Sequence, residues 1–317
     1  MKYRRLGSTG LLVSEISLGS WLTYGNAVDD KVAIDTIATA YDLGINFFDT
    51  ANVYNRGAAE IVVGEALRNY ARESYVLATK VYFPMSDRPN DSGLSRKHIM
   101  ESVRASLKRL KLDYVDILYC HRFDPNTPLE ETLRAFDDLI AQGKVLYGGI
   151  SEWTAVQIEQ AARIADAKLL RHFVVNQPRY NMLNRSIEEE VIPASERNGI
   201  GQVVFSPLAQ GVLTGKYLGQ KEVPKDSRAA NDKMNSFIKG YLNPGMEAKV
   251  AKLKEIADRL GMPLSRLALA WILRLDNISS ALVGASRPSQ IEENAKASGV
   301  YLDEDTLMDI EEALNEA

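Results

Sequence analysis

Short apolar segments alternate with amphipathic segments along almost the whole chain, and this alternation restricts the fold more than any other feature. Strands that are apolar throughout, each followed by a helix, favour a parallel sheet covered by helices. Eight such units in 317 residues fit an α/β (β/α)8 TIM barrel better than two doubly wound domains. The predicted strands are Ile16–Gly19, Ile45–Asp49, Tyr75–Lys80, Val115–His121, Val145–Ser151, Val174–Gln177, Gln202–Ser206 and Ser280–Gly284.

The segments between these strands carry helix-start signals. Ser95 precedes a stretch with apolar residues at positions 99, 103, 107 and 110, a repeat of about 3.6 residues. Other signals combine capping side chains with an acid or amide three residues later, or with a proline at the first helical position. They predict helix starts at Thr127-Pro128-Leu129-Glu130, at Thr154 with Gln157, and at Ser186 with Glu189.

Two segments lie outside the alternating pattern. At the start, YRRLG and LLVSE flank Ser8-Thr9-Gly10, which predicts a β-hairpin closing the bottom of the barrel. After the seventh barrel strand, Tyr217 to Gly245 is polar and rich in Gly, Pro and Asn, and loops of this length are usually functional or disordered. No composition shift marks a boundary, so we predict one barrel domain over residues 1–317.

Composition excludes several classes of protein. A net charge of −4 provides no electrostatic footprint for nucleic acid or for an anionic membrane. The single cysteine, Cys120, cannot form an intramolecular disulfide and suits a reducing compartment. The basic start MKYRRLG leads into no apolar signal region, and LALAWIL is too short to span a bilayer. We therefore expect a cytoplasmic protein with no membrane span and no metal site.

Three of the predicted strands end on ionisable residues: Asp49, Lys80 and His121. In a parallel barrel, polar residues at the carboxyl ends of strands face the active site. Tyr54 follows the first of these strands after a short loop. An acid, an amine, an imidazole and a phenol are therefore predicted to converge on one mouth.

This group suggests proton transfer. A phenol has a pKa of about 10, and a neighbouring ammonium lowers it by favouring the phenolate. Asp49 would keep Lys80 charged, and Lys80 would lower the pKa of Tyr54. Tyr54 would then deliver a proton to a developing alkoxide. His121 would orient the same oxygen. Taken singly, each residue fits a structural role as well: a turn aspartate, a solvated lysine or a core histidine.

A second kind of evidence comes from short motifs dispersed along the chain. In order they are YRRLGSTGLLVSEISLGSW, NFFDTANVY, LATK, LKRLKLDYVDILYCHR, GISEW, SPLAQGVLTGKY and GASRPSQIEEN. In this order they resemble the aldo-keto reductase superfamily over essentially the whole chain. The nearest likeness is the branch of voltage-gated potassium channel beta subunits and their plant and bacterial relatives. The resemblance implies that Asp49, Tyr54, Lys80 and His121 are the family's catalytic tetrad.

The resemblance also implies NADPH/NADP+ as the cofactor, held on a barrel without a Rossmann fingerprint, and no G-x-G-x-x-G follows a strand here. Ser151 and Gln177 would hold the nicotinamide carboxamide, and Phe205 stands where the family usually has Tyr or Trp. The long loop after the seventh strand would lie over the cofactor. The other implied cofactor residues are Gly19, Ser20, Trp21, Asp49, Ser206, Pro207, Leu208, Gly211, Leu213, Lys216, Gly284, Ser286, Gln290, Glu293 and Asn294.

Arg228 and Arg287 are the candidates for the adenosine 2′-phosphate, because a guanidinium binds phosphate bidentately. Glu152 departs from the Asn or Arg often found after the serine in this family. Aromatic residues predicted in loops at the active mouth suggest an apolar or aromatic aldehyde or ketone. The predicted substrate pocket consists of Trp21, Tyr24, Tyr54, Tyr82, Phe83, His121 and Trp153.

Three functions remain open from the sequence. The first is an NADPH-dependent carbonyl reductase, favoured by His121, since animal channel subunits typically carry Asn at this position. The second is an NADPH-bound, redox-sensing regulatory subunit of a membrane channel, which the sequence permits without indicating it. A barrel isomerase or aldolase with Lys80 as a Schiff base would leave Tyr54 without a role. The sequence is compatible with a homo-oligomer and with a small-molecule aldehyde or ketone as substrate.

Overall fold

The computed structural model describes residues 1–21, 24, 29–219, 238–241 and 243–315. Within these residues, eight parallel strands form a barrel: β3 (Ile16–Gly19), β4 (Phe47–Asp49), β5 (Val76–Val81), β6 (Val115–Cys120), β7 (Val145–Ile150), β8 (Val175–Asn176), β9 (Gly201–Phe205) and β10 (Ile278–Gly284). They close in the order β10-β3-β4-β5-β6-β7-β8-β9, which confirms the predicted (β/α)8 TIM barrel.

Helices follow the strands and cover the outside of the barrel. The described helices are α1 (Asp30–Asp42), α2 (Ala58–Leu67), α3 (Arg96–Leu110), α4 (Leu129–Ala141), α5 (Ala155–Lys168), α6 (Val191–Arg197), α7 (Pro244–Arg259), α8 (Leu264–Ile272), α9 (Pro288–Ala295) and α10 (Glu304–Asn315). Within the described ranges, no helix is long and apolar enough to cross a bilayer.

The strands bury both faces, and alternate residues belong to different cores. One set of side chains fills the barrel interior, and its members are Phe47, Val76, Ala78, Ile117, Tyr119, Val175, Val203 and Leu282. The other set, which includes Phe48, Leu77 and Leu118, packs with the helices in the outer core. This alternation decides which residues at the strand ends point into the barrel mouth.

The predicted N-terminal hairpin is confirmed as β1 (Tyr3–Arg5) and β2 (Leu12–Ser14), paired antiparallel. Leu6 and Val13 are fully buried and join the barrel interior from below. Gly7 has φ +55°, and a Cβ there would lie 2.4 Å from the Gly199 carbonyl oxygen, so the close approach of hairpin to barrel requires glycine. The hairpin therefore closes the end of the barrel opposite the candidate site.

Two of the predicted helix starts are confirmed and two are wrong. The Ser95 side chain caps α3, and Thr154 with Gln157 forms a complete capping box on α5. Pro128, rather than Thr127, is the N-cap of α4, because the Thr127 hydroxyl donates instead to Asp124 at 2.8 Å. Ser186 starts no helix, since its hydroxyl bonds to Asn184 and α6 begins only at Val191.

The segment predicted as a long loop, Tyr217 to Gly245, lies largely outside the described residues. Arg228, the predicted 2′-phosphate ligand in this segment, also lies outside the described residues. The described parts are 217–219, 238–241 and 243–245, and Ile238 is fully buried.

Candidate active site

Strand alternation brings the predicted tetrad to one mouth of the barrel. Phe47 and Ala78 point into the barrel, so Asp49 and Lys80, two residues further along their strands, point the same way at the carboxyl end. Tyr119 also points into the barrel, so His121, two residues further along, points the same way. Strand ends of β4, β5 and β6 therefore converge as the sequence predicts.

Lys80 and Asp49 form an ion pair in which the side chains are 0% and 1% exposed. The Lys80 Nζ donates to Asp49 Oδ1, to the Thr50 carbonyl oxygen at 2.8 Å and to the Tyr54 hydroxyl at 3.2 Å. Asp49 Oδ2 accepts from the Gln177 amide at 2.9 Å. All three protons of the ammonium thus have oxygen acceptors, as a buried charge requires.

The charges around Lys80 and Tyr54 act in opposite directions. Burial opposes the charged form of Lys80, but Asp49 and Tyr54 outweigh it and raise the pKa of the lysine. Burial raises the pKa of the Tyr54 phenol, and the lowering by Lys80 offsets this only in part. The expected lysine effect is therefore present, yet the net shift of the Tyr54 pKa is upward, so this phenol holds its proton at neutral pH.

His121 is a buried neutral imidazole beside this group. Burial, together with the charges of Lys80 and Arg122, holds the pKa of His121 well below its usual range. Its ring lies edge-on to Tyr54, with centroids 5.7 Å apart, and to Phe83 at 4.9 Å. The Nδ1 atom is buried without a hydrogen-bond partner among the described residues. A neutral imidazole here provides hydrogen bonding without adding charge.

The turn that carries Tyr54 has an unusual backbone. Asn55, Arg56 and Gly57 follow it with φ values of 48°, 51° and 92°. Left-handed backbone costs an arginine about 1–2 kcal/mol and is free for glycine. Such strain persists only where surrounding structure enforces it, and it clusters at functional sites.

The predicted carboxamide ligands lie next to Asp49. Ser151 and Gln177 follow β7 and β8, and the Ser151 hydroxyl donates to the Gln177 carbonyl oxygen at 2.8 Å. Arg122 donates to the Ser151 hydroxyl at 3.2 Å. A hydroxyl and a primary amide at one mouth provide the donor and acceptor that a carboxamide needs. Gly19 and Ser20 adjoin the same group, with the Ser20 amide donating to the Asp49 carbonyl oxygen at 3.0 Å.

The segment after β9 contains several residues with left-handed backbone. Ser206, Gln210 and Gly211 have φ values of 54°, 60° and 96°. A Cβ at Gly211 would lie 3.1 Å from Lys216 Cε, and Lys216 itself is exposed. Consecutive backbone amides in such turns form anion-binding concavities. Phe205 and Leu208 are half-buried, whereas Pro207 and Leu213 are buried.

The predicted adenosine-end residues gather where β10 meets α9. Gly284 ends β10, and Pro288 begins α9 with Arg287 as its N-cap. The Gln290 amide oxygen accepts from the Ser286 backbone amide at 2.8 Å. Arg287 is exposed and donates to Ser289 at 3.2 Å. Of the others, Glu293 pairs with Arg266 and Lys296, and Asn294 is buried.

The predicted substrate-pocket aromatics divide into two groups. Tyr82 and Phe83 are half-buried and extend the ring contacts of His121, with their own centroids 5.1 Å apart. Trp21 is half-buried. Tyr24 and Trp153 are only 3% and 2% exposed, and Trp153 packs against Phe123 and Phe173 in the outer core. Tyr24 and Trp153 therefore both belong to the outer core cluster.

Three residues near the site escaped the sequence reasoning. Arg122 contacts Ser151 and shifts the pKa of His121. Asn181 is fully buried and donates to the Ser206 carbonyl oxygen at 3.0 Å. Glu60 is a fully buried acid on α2. Of these three residues, Arg122 had a sequence signal, because it directly follows His121 at the end of a predicted strand.

Comparison with known proteins identifies the family. The aldo/keto reductase family model matches residues 15–315. The chain belongs to the aldo/keto reductase family. Members of this family are oxidoreductases that act on carbonyls with nicotinamide cofactors. Among the described residues, no group of three or more His, Cys, Asp or Glu is placed to hold a metal ion.

Three curated relatives match nearly end to end. A probable voltage-gated potassium channel subunit beta of Arabidopsis thaliana is 47% identical over 95% of this chain and 92% of its own length. A protein of the same name from Oryza sativa subsp. japonica is 45% identical over the same shares. A putative voltage-gated potassium channel subunit beta of Schizosaccharomyces pombe is 43% identical over 99% and 93%. The predicted likeness to channel beta subunits is confirmed.

Proposed function

We propose that this aldo/keto reductase is an NADPH-dependent reductase of aldehydes or ketones. The observation that supports it most is the hydrogen bond from Lys80 Nζ to the Tyr54 hydroxyl, at 3.2 Å, within the buried Lys80–Asp49 pair. This arrangement suits a phenol that gives up its proton only when negative charge develops beside it.

Tyr54 would act as the general acid. Its raised pKa keeps the proton on the phenol in the resting protein. When the carbonyl oxygen becomes an alkoxide, Tyr54 donates this proton, and the adjacent Lys80 ammonium stabilises the phenolate that remains. His121, held neutral, would hydrogen-bond the same oxygen and orient the carbonyl.

The cofactor-binding residues fit a nicotinamide dinucleotide. Bound NADPH would supply the hydride. Ser151 and Gln177 would hold its carboxamide beside Asp49, and the backbone from Ser206 to Lys216 would receive the pyrophosphate. The start of α9 and Arg287 would take the adenosine end, with Arg228 as a second 2′-phosphate ligand outside the described residues.

The substrate we propose is an apolar or aromatic aldehyde or ketone. Tyr54, Tyr82, Phe83 and His121 form a connected set of rings at the mouth. We further propose a single barrel domain over residues 1–317, a cytoplasmic location and, as in many barrel enzymes, a capacity to form homo-oligomers.

A reductase assay tests this proposal. Purified protein is mixed with NADPH and an aromatic aldehyde, cofactor absorbance is followed, and the alcohol product is identified by mass spectrometry. Turnover with stoichiometric alcohol supports the reductase. Tight NADPH binding without turnover of a panel of aldehydes and ketones would refute it.

The names of the relatives support a second candidate, an NADPH-bound regulatory subunit of a membrane channel. Current recordings of a potassium channel from the source organism, with and without the chain, would test it. A change of gating that depends on the NADPH/NADP+ ratio supports this role. Unaltered currents would exclude that channel as a partner.

A further inference from the structure

Glu60 is a fully buried carboxylate on the outer side of the barrel wall, and the chemistry proposed above gives it no role. Its Oε1 accepts from the Thr79 hydroxyl at 2.6 Å, and its Oε2 accepts from Arg109 Nε at 2.6 Å. Fully buried acids are rare unless they are paired and hydrogen-bonded. Both oxygens of Glu60 meet this requirement. Oε1 bonds to the strand that carries Lys80, and Oε2 bonds to Arg109 of α3, which lies against the turn after Tyr54.

The Thr79 bond leads to Lys80. The two residues are neighbours on β5, and strand alternation points their side chains to opposite faces. Lys80 enters the barrel mouth, whereas Thr79 faces α2 and bonds to Glu60. The hydroxyl contact therefore ties α2 to the strand end that carries the lysine.

The Arg109 bond leads to Tyr54. Gly57 closes the left-handed turn after Tyr54, and a Cβ on Gly57 would lie 2.6 Å from Arg109 Cδ and 2.7 Å from its Nε. Arg109 thus lies directly against this turn. Its guanidinium also donates to Ser106 at 3.1 Å, which fixes the side chain along α3.

Close packing of α2 on α3 holds this arrangement. A Cβ at Gly64 would lie 2.5 Å from the Leu110 carbonyl oxygen, so the two helices touch through backbone atoms beside Arg109. Glu60, on the same helix as Gly64, therefore has little freedom to move away from its partners.

We propose that Glu60 is a positioning residue that fixes the distance between Lys80 and Tyr54, by holding the lysine strand through Thr79 and the tyrosine turn through Arg109. This inference rests on the proposed role of Tyr54 as proton donor. The distance at stake is the 3.2 Å between Lys80 Nζ and the Tyr54 hydroxyl. The lowering of the Tyr54 pKa by Lys80 weakens as that distance grows.

The test uses the substitution Glu60→Gln, which keeps the shape and removes the countercharge of Arg109. We expect kcat for aldehyde reduction to fall by up to ~10²-fold, the loss that follows a misplacement of about 1 Å. The dissociation constant of NADPH should stay close to that of the wild type, because Glu60 is not among the proposed cofactor ligands.

The matched control is Asp116→Asn. Asp116 accepts from Arg72 at 2.5 Å and from the Leu77 amide at 2.8 Å, in a similarly buried pair at the opposite end of β5 and β6. It should lose stability with little loss of kcat. If both variants lose kcat in proportion to their loss of stability, the positioning role is overturned.

A second readout needs no turnover. Tyrosines labelled with 13C at Cζ are titrated by NMR in the cofactor-free protein, and the Tyr54 signal is assigned with Tyr54→Phe. Losing a negative charge would by itself lower the pKa of a nearby phenol. Loss of positioning instead raises the Tyr54 pKa, because Lys80 is held less closely. An upward shift supports the proposal, and a downward or absent shift overturns it.

Thr79→Val covers the case in which Glu60→Gln does not fold, since it removes one hydroxyl and keeps the branched shape. It should shift the Tyr54 titration in the same upward direction, and an unchanged titration in this variant overturns the proposal. If the wild type reduces no carbonyl at all, the proposed function fails while the NMR titration still decides the positioning role.

Discussion

Replacing Asp49 with asparagine should leave Lys80 as a buried charge without a countercharge. The pair is almost fully buried, at 1% and 0% side-chain exposure, so water cannot take the place of the carboxylate. Breaking a buried pair by removing one partner typically costs ~3–5 kcal/mol. Lys80 would keep the Thr50 carbonyl and the Tyr54 hydroxyl as acceptors, which places the expected loss near the lower value, about 3 kcal/mol.

The pH dependence of this loss gives a sharper test. In the wild type, the pKa of Lys80 is raised, so its contribution to stability is complete below the unfolded pKa of about 10.4 and is lost only above it. In Asp49→Asn, burial lowers the lysine pKa, and the folded state then binds fewer protons than the unfolded state. Stability of the variant should therefore rise with pH between the lowered folded-state pKa and the unfolded pKa of about 10.4, and over this window the difference from the wild type should shrink.

Urea unfolding at pH values from about 7 to 9 measures this difference by linear extrapolation. The control is Glu101→Gln, which also removes one acid from a lysine pair, but from the exposed Lys97–Glu101 pair with side chains 59% and 54% exposed. It should change the free energy of unfolding very little. A loss in Asp49→Asn no larger than in the control, or one independent of pH, would show that Lys80 does not need the carboxylate as a countercharge.

Three further predictions follow from single contacts. Arg287→Ala should weaken binding of NADPH more than of NADH, by about 1.5–3 kcal/mol if the charge-assisted contact is made, and equal weakening in fluorescence titrations argues against the 2′-phosphate role. The lowered pKa of His121 makes the wild type lose stability as pH falls below about 6.5. The stability of His121→Asn should therefore decrease less over this pH range. Equal changes of melting temperature with pH in the two proteins would contradict this. Gly149→Ala should destabilise the protein by about 1–3 kcal/mol, because a Cβ at Gly149 would lie 2.6 Å from the Tyr119 ring. The control Gly10→Ala should not, because the nearest atom to a Cβ there is 3.8 Å away. Equal urea midpoints for the two variants would show that the interior relaxes.

The barrel and its mouth could be predicted because apolar strands alternate with helices along the chain. This alternation predicts a parallel barrel, and Asp49, Lys80 and His121 end three of its strands, where polar residues face the active site. The hairpin could be predicted because a Ser-Thr-Gly turn separates two strand-like segments. These features depend on local sequence, so one chain suffices to find them.

Features that depend on tertiary contacts could not be predicted. Thr127 lies in a typical N-cap sequence, but its hydroxyl donates to Asp124. The Ser186 hydroxyl similarly donates to Asn184. The net rise of the Tyr54 pKa reflects burial, which no spacing reveals. An acid on a surface helix usually lies in solvent, so the burial of Glu60 could not be predicted from the helix pattern alone.

The substitution Tyr54→Phe tests the proposed proton donor directly, because it removes one hydroxyl from the ring that Lys80 contacts. If Tyr54 is the proton donor, kcat for carbonyl reduction should fall by ~10²–10⁴-fold, the usual contribution of general acid catalysis. The dissociation constant of NADPH should remain nearly unchanged, because the proton is needed only as the alkoxide forms. A variant that retains most of its kcat would show that Tyr54 is not the proton donor.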